Sequence, residues 1–153
     1  MGYVTASTHL KVPIDIAWAF LSDVLRNPEW EDNVQTVSLL TDGPVTVNSV
    51  FRERLRILGP FHAEGEWRIT ALKPPGLHEH HGNVPITGET TVRYTLVPDQ
   101  QGCACTVEVI YEPRPGRFSG AVDTMLVRPG VTRAFRNNLR RMKKVLEKRR
   151  AIA

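Results

Sequence analysis

Glu53 lies between Phe51 and Leu55 in a run, Val50 to Leu58, where apolar residues alternate with Arg52, Arg54 and Arg56. Period-two alternation puts Glu53 on the apolar face of a strand. A carboxylate there is costly unless it is partnered, and burial lifts its pKa toward values useful for proton transfer. Glu53 is therefore a candidate for orienting a ligand or for general acid/base work. The competing reading sets it near an end of the sheet, exposed or paired with an arginine.

A second set is His78-Glu79-His80-His81. On a strand His78 and His80 share one face, and Glu79 and His81 share the other. The run is not the helical H-E-x-x-H pattern and has no evident third ligand, so no metal is expected. It reads as a short polar edge or loop, from which His80 or His78 can reach the interior as an acid/base or hydrogen-bonding group. Tyr94 stands on the apolar face of its own strand and needs a hydroxyl partner if buried. Glu53, His80 and Tyr94 are thus the candidate catalytic groups. No Ser/His/Asp or Cys/His arrangement assembles and no Gly-rich phosphate loop appears, so no cofactor is expected. Cys103 and Cys105 are one residue apart, too close on a strand for an unstrained disulfide, and read as small packing residues of a reduced, cytoplasmic chain.

These residues need elements to hold them. Val4–Val12 reads as an edge strand. Pro13–Leu21 carries Ile14, Ala17, Trp18 and Leu21 at helical spacing, and Ser22 or Asp23 starts a second short helix through Trp30, interrupted by Asn27-Pro28. Strands follow at Val34–Leu40, Val50–Leu58, Phe61–Leu72, Thr87–Val97 and Cys103–Tyr111, with Leu77–Gly82 as a short polar segment between them. The long stretch Phe118–Arg150 ends the chain. Val131, Phe135, Leu139, Met142 and Val145/Leu146 form one helical stripe, opposite Arg133, Arg136, Arg140, Arg141, Lys143, Lys144, Lys148 and Arg149. Arg128-Pro129-Gly130 predicts a break or kink upstream. The sheet supplies the surface that this stripe needs.

With 153 residues, 41% of them apolar and 24% charged, the chain fits a single domain spanning 1–153. No apolar run approaches the ~20 residues of a membrane span, and no secretory h-region is visible, so no stable membrane association is expected. The net charge is +4 with a pI near 9.4. Much of that excess lies on the outer face of the last helix without aromatic residues to stack bases, so nucleic acid is not an expected partner. The same face is a candidate for an acidic partner or an anionic surface.

Several short motifs run through the chain in order. They are Val12-Pro13 with Ala17-Trp18; Asn27-Pro28-Glu29-Trp30; Gly65-Glu66-Trp67-Arg68-Ile69-Thr70; Lys73-Pro74-Pro75; Tyr94-x-Leu96-x-Pro98; Gly102; and Leu139-x-x-Met142-Lys143-x-x-Leu146-Glu147. As a set they resemble the START/Bet v 1-like superfamily and, within it, the polyketide cyclase/dehydrase group. The resemblance implies an α+β helix-grip fold: a curved antiparallel sheet of six to seven strands around a long C-terminal helix, with two short helices after strand 1. It implies an apolar cavity between sheet and helix, unless Trp67, Tyr94, Tyr111 and Phe135 fill that space. Small residues at Ala63, Gly65, Ala71, Cys103 and Cys105 on expected inner faces favour the cavity.

In such a fold the core and the pocket wall are one surface. The implied ligand-binding residues are Phe51, Trp67, Ile69, Val107, Val109 and Phe135, with Phe118, Val122 and Met125 at the wider end. Trp30 would lie near the mouth, as a gate or as a packing staple. The implied function is binding of a small apolar or aromatic, polyketide-like molecule, with or without its cyclisation or dehydration; the alternative is a non-enzymatic lipid or isoprenoid carrier. The protein would be a monomer or homodimer. Aromatase/cyclases of this resemblance use an inward arginine, whereas Arg52, Arg54, Arg56, Arg68 and Arg93 all read as outward by parity.

Overall fold

The computed structural model describes residues 1–85, 87–112 and 122–152. Strand β1 (Gly2–Leu10) leads through Pro13 into helix α1 (Ile14–Ser22) and a 3-10 helix (Val24–Glu29). Strands β2 (Val34–Leu39), β3 (Val50–Leu58), β4 (Phe61–Lys73), β5 (Leu77–Val84), β6 (Gly88–Asp99) and β7 (Gly102–Glu112) follow. A π-helical turn (Asp123–Val127) then runs into helix α2 (Arg128–Ile152). The strands form one antiparallel sheet in the order β1-β7-β6-β5-β4-β3-β2.

Local chemistry sets these elements. The Pro13 carbonyl accepts from Ile16 N and Ala17 N at 3.0 and 3.2 Å, which opens α1. Asp23 caps the 3-10 helix by accepting from Leu25 N at 3.2 Å. Leu139, Met142 and Leu146 of α2 are buried, with Val131, Phe135 and Val145 packed beside them, as the helical stripe required. Polar clamps fix α2 in place: Asp32 N donates to Asn138 Oδ1 at 3.1 Å, Arg141 reaches Asp32, Arg149 reaches Glu29, and Lys143 Nζ donates to His9 O. Part of the basic face is therefore used within the chain. No described helix is long and apolar enough to cross a membrane.

Three expectations change. The segment from Leu77 is not an edge or loop: β5 is central, paired to β4 and β6, and His78 and His80 are buried. Its polar composition disguised a strand whose side chains alternate strictly inward and outward. Second, a register shift between Ile69 and Ala71 inserts an extra residue in β4. Beyond that bulge Leu72, opposite inward His78, packs on the core in place of Ala71. Third, Arg128-Pro129-Gly130 predicts a break or kink with Pro129 opening the last segment, whereas α2 starts at Arg128 and continues directly from the π turn, so the chain changes helical pitch there.

Glycine makes room for the largest inner side chain. Gly82 lies opposite Trp67, and a Cβ there would come within 2.8 Å of Trp67 Cε3 and 2.3 Å of the Glu66 carbonyl oxygen. Gly82→Ala is expected to lower stability by about 1–3 kcal/mol and to shift the tryptophan emission, because the ring or the strand must move. Urea unfolding followed by fluorescence checks this; an unchanged midpoint would mean the close approach is not a constraint.

Candidate functional site

The inner face of the sheet brings the predicted groups onto adjoining positions. In β3 and β4, Glu53 pairs with Gly65 and Phe51 with Trp67; in β4 and β5, Ile69 pairs with His80. His78 pairs with Tyr94, and Tyr94 with Val107, while Val92 of β6 lies between His80 and Val109. Glu53, Trp67, His80 and Tyr94 therefore step across four neighbouring strands. Gly65 leaves space beside Glu53 for the Trp67 indole, whose Nε1 would lie 3.6 Å from a Cβ at that position. The short helices cover these strands with Trp18, Asn27 and Trp30, followed by Glu31.

Glu53 is 4% exposed and accepts hydrogen bonds from Asn27 Nδ2 at 3.0 Å and Trp67 Nε1 at 3.1 Å. It is neither exposed nor paired with an arginine. Glu31, 8% exposed, faces it from the turn after the 3-10 helix. Burial holds the Glu31 carboxyl well above the usual carboxylate range, and the neighbouring Glu53 charge adds to this. Burial also raises Glu53, but its bonds from Asn27 and Trp67 oppose the rise. Both directions favour the protonated form, more strongly at Glu31, because Glu53 has the Asn27 and Trp67 donors to stabilise its charge.

The aromatic and imidazole rings adjoin this pair. His80 makes edge contacts with Trp67 (4.8 Å between centroids) and Phe51 (5.5 Å), and lies 5.4 Å from His78, which meets Trp18 at 6.5 Å. Tyr94 meets Trp30 edge-on at 5.6 Å. Burial lowers the His78 pKa to about 4, and burial with the neighbouring His78 puts His80 well below its ordinary value. Burial, then the Glu31 charge, raises the Tyr94 phenol well above 10. All three side chains are neutral at pH 7. The Tyr94 hydroxyl lies close enough to feel the Glu31 carboxyl but makes no hydrogen bond of ordinary geometry with it.

Trp30 Nε1, both nitrogens of His78, His80 Nδ1 and Tyr94 Oη are buried without a hydrogen-bond partner. Most buried polar atoms find one, so these atoms on adjoining rings single out this region as the candidate site. Among the described residues no group of three or more His, Cys, Asp or Glu is placed to hold a metal ion. Cys103 and Cys105 are free and buried; burial pushes the Cys105 thiol up to about 12, which removes it as a nucleophile.

Of the predicted site residues, Glu53, His80, Tyr94, Trp30, Phe51, Trp67, Ile69, Val107 and Val109 are all buried on this side of the sheet, and Phe135 is half-buried on α2. Trp30 is 1% exposed and packed on Tyr94, so it is no rim gate. Val122 and Met125 do not face inward: they are 36% and 75% exposed, and Leu126 is 70% exposed. The π turn changes the residue spacing on which their α-helical face was reckoned. Phe118 lies outside the described residues. Sequence reasoning missed Glu31 and Asn27, whose one signal is their i,i+4 spacing across Pro28. A separate groove of about 500 Å³ runs between β1 and α2, lined by Thr5–Thr8, Arg136, Leu139 and Arg140. It contains none of the acid/base groups, so the chemistry places the candidate site at the buried cluster.

Residues 1–147 match the family model described as polyketide cyclase / dehydrase and lipid transport. A comparison with curated proteins found no match. TTHA0849 from Thermus thermophilus superposes with a TM-score of 0.79 at 10% identity, over 96% of this chain and 98% of that one. The di-domain ARO/CYC StfQ from the steffimycin biosynthetic pathway gives 0.79 at 15% identity, over 97% of this chain and 51% of that one. Ara h 8.0201 gives 0.74 at 11% identity, over 96% and 98%. At these identities the likeness shows the fold, a Bet v 1-like helix-grip.

Proposed function

The chain belongs to the polyketide cyclase / dehydrase and lipid transport family, and on that premise we propose that it binds a small apolar or aromatic, polyketide-like molecule between the sheet and α2. The observation that carries this reading is the set of unpartnered buried polar atoms on Trp30, His78, His80 and Tyr94, of which Tyr94 adjoins the Glu31–Glu53 pair. Apolar walls (Phe51, Trp67, Ile69, Val107, Val109) would hold the body of the ligand, and these atoms would meet its oxygens.

The same groups suit proton transfer. Glu53 can take a proton from a carbon next to a carbonyl, Glu31 can deliver one to a departing hydroxyl, and neutral Tyr94 or His80 can donate to the oxygen that gains charge. That is the chemistry of enolisation before ring closure or loss of water. Likeness to an ARO/CYC protein supports it. The inward arginine implied for an aromatase/cyclase is not found among Arg52, Arg54, Arg56, Arg68 and Arg93, which are all exposed; catalysis at this cluster would rest on the carboxyl pair.

Native mass spectrometry of the purified protein is expected to reveal a co-purifying small molecule whose mass distinguishes an aromatic polyketide from a fatty acid or isoprenoid. Glu53→Gln is then expected to lower turnover of a matching substrate by about 10²–10⁴-fold while the fold persists. Unchanged turnover would remove Glu53 as acid/base. Binding without turnover would leave the lipid or isoprenoid carrier.

A further inference from the structure

We infer that the interior selects ligands by charge: it accepts uncharged molecules bearing hydroxyl or carbonyl oxygens and rejects carboxylates, whatever their apolar body. This deepens the binding proposal above and rests on it. Among the described residues the buried acids are Glu31 and Glu53, side by side, and no lysine or arginine is buried. A ligand carboxylate would thus enter a region that already holds an acidic pair, on which no cation of the described residues acts. Two buried like charges at short range repel strongly in a poorly solvated medium.

Neutral oxygens meet a different surface. Trp30 Nε1 and Tyr94 Oη are unpartnered donors. His78 and His80, held neutral by burial, each offer one donor and one acceptor. A phenol, alcohol or ketone can satisfy these atoms without bringing charge. The titratable groups buried on this side of the sheet are Glu31, Glu53, His78, His80, Tyr94, Cys103, Cys105 and Tyr111, and none of them supplies a positive charge at pH 7; α2 adds the half-buried Arg128 and Lys143, the latter paired with Glu147. The choice separates the two halves of the family description: a fatty-acid anion is disfavoured, and a neutral oxygenated ring or a fatty alcohol is not.

The test uses matched pairs that differ only in the polar group: 2-naphthol against 2-naphthoate, and dodecanol against dodecanoate, titrated into the full chain at pH 7.5 with calorimetry or tryptophan quenching as the readout. Each neutral member is expected to bind at least tenfold more tightly than its carboxylate. Lowering the pH to 5.5 should narrow the gap by raising carboxylate affinity, since the ligand can then enter protonated, while naphthol affinity holds. Glu53→Gln, which removes the charge the pair carries but keeps the shape, should shrink the gap to about threefold or less at pH 7.5. Equal affinity within both pairs would overturn the selection while leaving interior binding standing. Binding of none of the four would overturn the binding proposal itself. A preference for the neutral members that Glu53→Gln leaves intact would overturn the assignment of selectivity to this pair.

Discussion

Glu31→Leu is expected to raise the stability of the folded chain by about 1–2 kcal/mol, whereas Glu53→Leu lowers it by about 2–4 kcal/mol, although both carboxyls are buried in one cluster. The difference lies in their donors. Glu53 satisfies Asn27 Nδ2 and Trp67 Nε1, and a leucine would strand both inside the protein. Each buried unsatisfied donor costs roughly 1–3 kcal/mol. Glu31 has no comparable donor; it is buried against another acid, and burial itself pushes it to stay protonated. Leucine at 31 removes that cost and adds apolar contact with the core. Urea unfolding of both variants at pH 7 measures the two effects. Equal losses would show that Glu31 is a structural partner of Glu53. A gain for Glu31→Leu is the signature of a residue kept for function at the expense of stability.

That asymmetry bears on what the amino-acid order could reveal. Period-two alternation placed Glu53, Trp67, Ile69 and Tyr94 on the inner face, because side chains on a paired strand must alternate and one face must be buried. The α2 stripe through Leu139, Met142 and Leu146 was legible for the corresponding helical reason. Three features were hidden, each where periodicity fails. Glu31 follows a proline-containing 3-10 helix, in irregular backbone with no repeat to read. Leu72 and Ala71 exchange faces because a bulge adds one residue to β4. Met125 and Leu126 turn outward on a π turn. The β5 histidines failed for another reason. Composition suggested solvent, but the strand lies mid-sheet, and its inward histidines are where apolar residues would serve packing better. The proposed site therefore coincides with the places where residue types disagree with burial, at Glu31, Glu53, His78 and His80.

The histidines give the largest pH effect. His78 has a folded pKa of about 4 against 6.5 for its ordinary value, through burial. Between those values the unfolded chain takes up a proton that the folded chain refuses. Stability is therefore highest above pH 6.5 and is lost as pH falls toward 4, by roughly 3 kcal/mol from His78 alone. His80, lowered further by burial and by His78, adds to the loss. The carboxyl pair acts with the opposite sign: both folded pKa values are raised, so its contribution is present at low pH and is lost as pH rises through those values. His78→Phe keeps a ring against Trp18 and removes one titrating group. Its stability loss between pH 7 and pH 4.5 is expected to be about 2 kcal/mol smaller than that of the unaltered chain, read from urea midpoints at the two pH values. An unaltered acid loss would mean that His78 protonates freely and is not held neutral. If the smaller loss is found, His78 is an uncharged imidazole at pH 7, able to present one donor and one acceptor to a ligand oxygen.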